Sequence, residues 1–135
     1  MLVGMGIDLV AVRDFADLLA DPASGFVAAT FTAGEVDYSR KAVSGEPARH
    51  LAGRYAAKEA ALKALDTACA LAGLTPPRVP LTDLEVTRDE AGRPHLNLHG
   101  EASRLAERLG ADRAWVSLSH DGDYATAVVA FERLT

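Results

Sequence analysis

The sequence holds one cysteine and no apolar run near the roughly 18 residues of a membrane span, and it lacks the short motifs that mark covalent catalysis. Each absence excludes something. A lone Cys69 cannot close an intramolecular disulfide, which fits a reducing compartment, and it reads as a small core residue. With no GxSxG, CxxC, HExxH or Walker-type loop, nothing indicates that this chain supplies its own nucleophile. The net charge of -5 and a pI near 5.3 come without the basic stripe of a general nucleic-acid binder, although a few local cations suffice to hold an anionic ligand. The opening MLVGMGIDLV has no cationic segment ahead of an apolar run, so a cytoplasmic protein without a cleaved secretory signal is expected, with neither membrane nor nucleic acid as partner. What is present is ordinary globular composition, 49% hydrophobic and 24% charged, over 135 residues. That length predicts a single domain spanning 1–135.

The elements follow from pattern. Residues 2–10 read as a strand in which Gly4 and Gly6 allow close backbone approach, with Asp8 near its end. Val12, Phe15, Ala16 and Leu19 repeat at helical spacing over 12–20, with Arg13 and Asp17 outward and Asp21-Pro22 as the stop. Thr32 and Glu35 have the form of a capping box, with Phe31 and Val36 as its hydrophobic staple. Helix initiation is enough to explain Glu35.

Pro47 opens a long helix over about 47–70, rich in alanine, leucine and lysine. Leu51, Tyr55, Leu62, Leu65 and Cys69 make one apolar stripe, and Ala57, Ala60, Ala61, Ala64 and Ala68 cover much of the other side, so this helix should be central. Residues 83–88 and 94–98 read as a hairpin, 100–109 as a helix closed by Gly110, and 114–120 and 124–132 as strands joined at Asp121-Gly122. The order predicts an α+β domain, an antiparallel or mixed sheet packed against a long central helix.

Candidate chemistry is dispersed. His95 and His99 lie on one side of a strand, without metal-ligand spacing, and should face solvent. Trp115 should fill the core or a subunit contact. Asp8, Glu59, Lys63, Ser119 and His120 remain, at element ends and on the central helix. Two carboxylates with room between them suit Mg²⁺, and lysine or histidine nearby suits phosphate. Spacing alone does not bring residues 8, 59 and 120 together, and Glu59 with Lys63 equally reads as a surface i,i+4 pair beside a snorkelling Lys58.

Gly6-Ile7-Asp8-Leu9-Val10 resembles the G-[IVT]-D signature of the 4'-phosphopantetheinyl transferases, and Arg54-Tyr55-Ala56-Ala57-Lys58-Glu59-Ala60-Ala61-Leu62-Lys63 resembles their [WF]-x-x-K-E-[AS]-x-x-K core. Phe31-Thr32-Ala33-Gly34-Glu35, the run from Leu81 to Pro94, and Val116-Ser117-Leu118-Ser119-His120 extend the likeness to the small holo-[acyl-carrier-protein] synthases, over most of the chain. The resemblance implies transfer of phosphopantetheine from coenzyme A to a serine of an apo acyl carrier protein, or of a carrier domain in a synthase, with release of 3',5'-ADP. It implies Mg²⁺ held by Asp8 and Glu59, Glu59 taking the serine's proton directly or through a water, Lys63 and Ser119-His120 at the coenzyme A phosphates, and Arg54 near the nucleotide. It further implies a homotrimer with interfacial active sites. The missing nucleophile is then the carrier's own serine.

Three departures stand out. Tyr55 replaces the core motif's tryptophan or phenylalanine, Ala11 and Asp14 stand where many members have glutamate and a carrier-docking arginine that Arg13 would have to replace, and Leu65-Asp66-Thr67-Ala68-Cys69 replaces a glycine-rich turn. Two readings compete with the enzyme: a module that binds nucleotide without transfer, and a structural subunit whose alanine-rich helix serves packing only.

Overall fold

Two glycines set how closely the layers approach. In the computed structural model, which describes residues 1–42 and 46–135, strand β1 (Leu2–Ala11) turns Gly4, Gly6 and Val10 inward and Met5, Ile7 and Leu9 outward. A Cβ on Gly6 would lie 2.0 Å from the carbonyl oxygen of Ala60, and one on Gly4 2.3 Å from that of Ala64. No side chain fits at either position. The strand therefore presses directly on the backbone of the long helix, and the helix meets it with alanine.

Helix α1 (Val12–Ala20), the short α2 (Phe26–Thr30), α3 (Ala33–Lys41) and the long α4 (Pro47–Ala72) follow in order. Strands β2 (Leu84–Arg88) and β3 (Pro94–Leu98), helix α5 (Gly100–Leu109), and strands β4 (Arg113–Asp121) and β5 (Tyr124–Glu132) complete the chain. The result is the α+β architecture that the pattern predicts. Its strands form two antiparallel sheets rather than one, β1-β5-β4 and the hairpin β2-β3.

Helix α4 is central, as expected, but its deepest face is the alanine one. Ala52, Ala56, Ala57, Ala60, Ala61 and Ala64 are fully buried, whereas Tyr55 and Leu62 of the leucine stripe are half-exposed. It runs two residues past the expected end, to Ala72, and stops at Gly73, whose φ of 70° suits glycine as helix terminator. Cys69 is buried, as expected of a core residue, and burial raises its thiol pKa.

Helix α2 is absent from the sequence reading because five residues without a side-chain cap carry little local signal. Tertiary packing makes it: Phe26 meets Phe15, Phe31 and Tyr55 edge-on at 5.6–6.3 Å between centroids, and this aromatic cluster fastens α1 and α2 to α4.

The capping box is present, with Thr32 N donating to Glu35 Oε1 at 2.9 Å and Glu35 N to Thr32 Oγ1 at 3.2 Å. The expectation that Glu35 only starts a helix is corrected. It is buried, its Oε1 lies 2.8 Å from Lys58 Nζ, and its Oε2 accepts from Val86 N at 3.0 Å, so it links α3, α4 and β2. Lys58 does not snorkel either. Its ammonium is fully buried and also donates to the carbonyls of Leu81 and Leu84.

His95 and His99 are exposed, paired at 3.1 and 3.0 Å with Asp89 and Glu85. Trp115 is not in the core. It is 52% exposed on the outer face of the three-stranded sheet, beside Arg113 and on the same face as the outward residues of β1, across β5.

Candidate active site

Two groups of polar side chains emerge, on opposite sides of α4. The first gathers where β1 leaves its glycines. Asp8, half-buried, receives Lys63 Nζ at Oδ1 over 3.0 Å, and the same ammonium donates to the carbonyl of Ile7 at 2.9 Å. Lys63 thus reaches across to the strand instead of pairing with Glu59, and the surface-pair reading fails on that contact. Glu59 accepts a hydrogen bond from the Tyr55 hydroxyl one turn earlier. Burial and the adjacent Glu59 carboxylate raise the Tyr55 phenol above its ordinary pKa, so it stays a donor at neutral pH. Asp8, Glu59 and Tyr55 line one open cleft of about 310 Å³, whose other wall is α1 with Asp14 and Leu18.

The donor set of this cleft fits magnesium. Asp8 and Glu59 are hard oxygen ligands on one open space, Lys63 engages Oδ1 of Asp8, and magnesium takes one or two carboxylates and fills the rest of its shell with water and phosphate oxygens. Lys63, paired with Asp8, adds a cation beside that carboxylate for an anionic substrate. The structure therefore brings Asp8, Glu59 and Lys63 together.

The second group lies at the start of α4. Arg54 is 1% exposed, stacks its guanidinium 4.5 Å from the Tyr38 ring centroid, and its Nε has no hydrogen-bond partner among the described residues. Arg88 Nε is orphaned in the same way. Burial, then repulsion from Arg88, lowers the pKa of Arg54. His120 packs on α4 where Gly53 leaves room, since a Cβ there would lie 3.0 Å from its Nε2, and that nitrogen is 3.2 Å from the carbonyl of Arg49. Burial lowers the His120 pKa; the hydrogen bond to the Arg49 carbonyl opposes this, and the charges of Arg49, His50 and Arg88 add to the lowering. Cations with no carboxylate in an ion pair among the described residues, two of them with idle buried donors, make a site for an anion.

The two groups do not meet within one chain. Arg54 and Lys63 stand about 13 Å apart along α4 and on opposite sides of its axis, and Asp8 and His120 lie on strands that flank β5. Ser119 alternates to the outer sheet face, away from His120. Arg88 and the Tyr55 hydroxyl were missed in the sequence. Arg88 carries no local signal, because its partner Arg54 comes from a distant helix, whereas Tyr55 at i,i+4 from Glu59 was legible as a pair.

The family model for the 4'-phosphopantetheinyl transferase superfamily matches residues 4–129. The chain is 43% identical over 135 residues to a holo-[acyl-carrier-protein] synthase of Geobacter sulfurreducens, covering 98% of this chain and 99% of the relative. It is 45% identical over 132 residues to one of Mycobacterium ulcerans, covering 97% of each. Among solved structures, the ACPS-CoA complex of Chronobacterium ammoniagenes superposes with a TM-score of 0.83 at 38% identity, covering 98% of both chains. The acyl carrier protein synthase of Mycobacterium tuberculosis superposes at 0.73 with 41% identity, covering 98% of this chain and 99% of that one.

Proposed function

The chain belongs to the 4'-phosphopantetheinyl transferase superfamily, and we infer from that premise that it transfers 4'-phosphopantetheine from coenzyme A to a serine of an apo acyl carrier protein, releasing 3',5'-ADP. The observation that carries the mechanism is that Asp8 shares one open cleft with Glu59 and an ion pair with Lys63.

In that cleft Asp8 and Glu59 would hold Mg²⁺, which when bound neutralises charge on the diphosphate. Lys63, anchored by Asp8 and the Ile7 carbonyl, directs its ammonium to the same phosphate oxygens. Glu59 is the general base for the carrier's hydroxyl, its carboxylate oriented by Tyr55. The serine oxygen bonds to the phosphorus that carries pantetheine, the bond from that phosphorus to the oxygen of ADP breaks, and the serine proton passes to Glu59. Positioning and charge neutralisation supply the acceleration, as in other phosphoryl transfers.

The anion group at Arg54, Arg88 and His120 suits the phosphorylated nucleotide, yet it lies on the far side of α4 from Glu59. A site built between subunits resolves this, one chain supplying the carboxylates and its neighbour the cations. The outer face of the three-stranded sheet supplies a surface for such assembly: Met5, Ile7, Leu9 and Trp115 are each more than half exposed there, with Val128 at the centre. Ser119 shares that face and would reach the donor across the boundary. We place this homotrimer in the cytoplasm, where a free thiol such as Cys69 stays reduced. Among the described residues no helix is long and apolar enough to cross a membrane.

Intact-mass analysis of apo acyl carrier protein incubated with this protein, coenzyme A and Mg²⁺ tests the reaction. The carrier should gain one phosphopantetheine, lose that gain with EDTA and regain it with added Mg²⁺. Persistent lack of modification by folded protein would leave a module that only binds nucleotide. For the assembly, sedimentation should give about three times the 14.2 kDa chain mass. Val128→Asp should give monomer and lose transfer, although Val128 lies in neither polar group.

A further inference from the structure

Helices α3 and α4 meet through two pairs of side chains that are built differently. On α4 the cations Arg54 and Lys58 stand one turn apart, and on α3 so do Glu35 and Tyr38, so each couple shares one helix face. Glu35 meets Lys58 with a carboxylate oxygen 2.8 Å from the ammonium. Tyr38 meets Arg54 with a ring, whose centroid lies 4.5 Å from the guanidinium carbon. Both cations are buried. The first pair cancels its charge inside the protein, and the second leaves its charge standing.

That difference decides what each cation can still do. Lys58 directs its donors to Glu35 and to the carbonyls of Leu81 and Leu84, so it has none left for a ligand. Arg54 makes no ion pair among the described residues, reaches the His50 carbonyl of its own helix only at 3.4 Å, and keeps its Nε idle. A π face holds a guanidinium flat without taking up its charge, and the N–H groups, which lie in the plane, stay free for an anion. The support is itself fixed. His50 packs edge-on against the Tyr38 ring at 6.0 Å between centroids, and Glu35, one turn before Tyr38, pins α3 to Lys58 and to Val86 N. Arg88, whose Nε is idle as well, repels Arg54. A carboxylate at position 38 would relieve that repulsion and neutralise the site, whereas an aromatic ring keeps Arg54 in place with its charge available.

We propose that Tyr38 is a positioning residue for the donor: its ring holds Arg54 beside Arg88 with the guanidinium charge unpaired, ready for a phosphate of the nucleotide. This rests on the transfer reaction proposed above. Tyr38 lies on the far side of α4 from Glu59 with the rest of the anion group, so it acts on donor binding and leaves the chemical step alone.

The test compares calorimetric binding of 3',5'-ADP and steady-state transfer from coenzyme A for the wild type, Tyr38→Phe, Tyr38→Leu and Tyr38→Glu. Tyr38 is 40% exposed, so these changes should leave the fold intact, which urea unfolding checks. Phenylalanine keeps the π face and should bind 3',5'-ADP within about twofold of the wild type. Leucine keeps apolar volume without the π face, and should weaken 3',5'-ADP and raise KM for coenzyme A by about tenfold, with kcat within about twofold. Glutamate should hold Arg54 by an ion pair and neutralise it, weakening binding at least as much as leucine does. Binding by Tyr38→Leu and Tyr38→Glu as tight as that of the wild type overturns the proposal. Tighter binding by Tyr38→Leu also overturns it, because the ring would then be a cover over Arg54 and not its support. If Tyr38→Leu does not fold, the contrast between Tyr38→Phe and Tyr38→Glu decides in the same way. A purely structural role for Tyr38 would lower stability without separating KM from kcat. Absence of transfer to any carrier by the wild type, with the order of 3',5'-ADP affinities as given, would overturn the reaction and leave the support of Arg54 standing.

Discussion

Glu59→Gln should lower the rate of phosphopantetheine transfer by about 10³-fold, within the range general-base catalysis contributes, while the protein folds normally. The substitution is nearly isosteric. Glu59 is half-buried and its partner is the Tyr55 hydroxyl, from which a glutamine carbonyl still accepts, so packing and the helix are kept. What is lost is an anionic oxygen that binds a hard cation and takes a proton. The measurement is single-turnover transfer at saturating coenzyme A and carrier, with calorimetric binding of 3',5'-ADP alongside. Nucleotide affinity should change little, because the idle donors of Arg54 and Arg88 lie on the other side of α4. Tyr55→Phe keeps the carboxylate and removes only its orienting bond, so a loss of about tenfold is expected. If Glu59→Gln kept its rate within tenfold of the wild type, the general-base assignment would fall and the cleft would be a binding site only.

The elements with strong period were legible almost to the residue. Strand β4 alternates inward and outward residues from Ala114 onward, α5 repeats Ala102, Leu105, Ala106 and Leu109 on one face before Gly110, and Gly4 and Gly6 announced close approach before the partner was known. The less visible features depend on contacts between distant segments. Residues 26–30 are helical because Phe26 completes an aromatic cluster contributed by four segments. The split into two sheets was hidden because pairing of β2 with β3 reads the same whether or not the hairpin joins a larger sheet.

The site was partly legible for the same reason. Asp8, Glu59 and Lys63 stood out as polar residues at element ends and on a central helix. Their meeting requires Lys63 to span from α4 to β1, which no spacing rule expresses. A self-sufficient local motif also concealed a long-range one: Thr32 and Glu35 explain each other as a capping box, and nothing local suggests that Glu35 also receives Lys58.

That buried pair carries the largest expected effect on stability. Lys58→Met should cost about 3–5 kcal/mol, because it leaves the Glu35 carboxylate without its counter-charge in a fully buried setting and strips the carbonyls of Leu81 and Leu84 of a donor. Burial pushes the Lys58 ammonium below its ordinary pKa and the adjacent Glu35 opposes that shift, so each charge is kept by the other. In Lys58→Met the isolated Glu35 carboxylate should have its folded-state pKa raised above the unfolded value. The stability that protonation of Glu35 gives is then present at low pH and lost as pH rises through that folded pKa, so the deficit should be smaller near pH 5 than near pH 8. Glu35→Gln combined with Lys58→Met removes both charges and keeps an acceptor for Val86 N, so it should recover part of the loss and show no such pH trend. Urea unfolding of the two single variants and the double variant at both pH values completes the cycle. Simple additivity of the two losses would mean that the charges do not stabilise each other and that Lys58 is held by its carbonyl contacts alone.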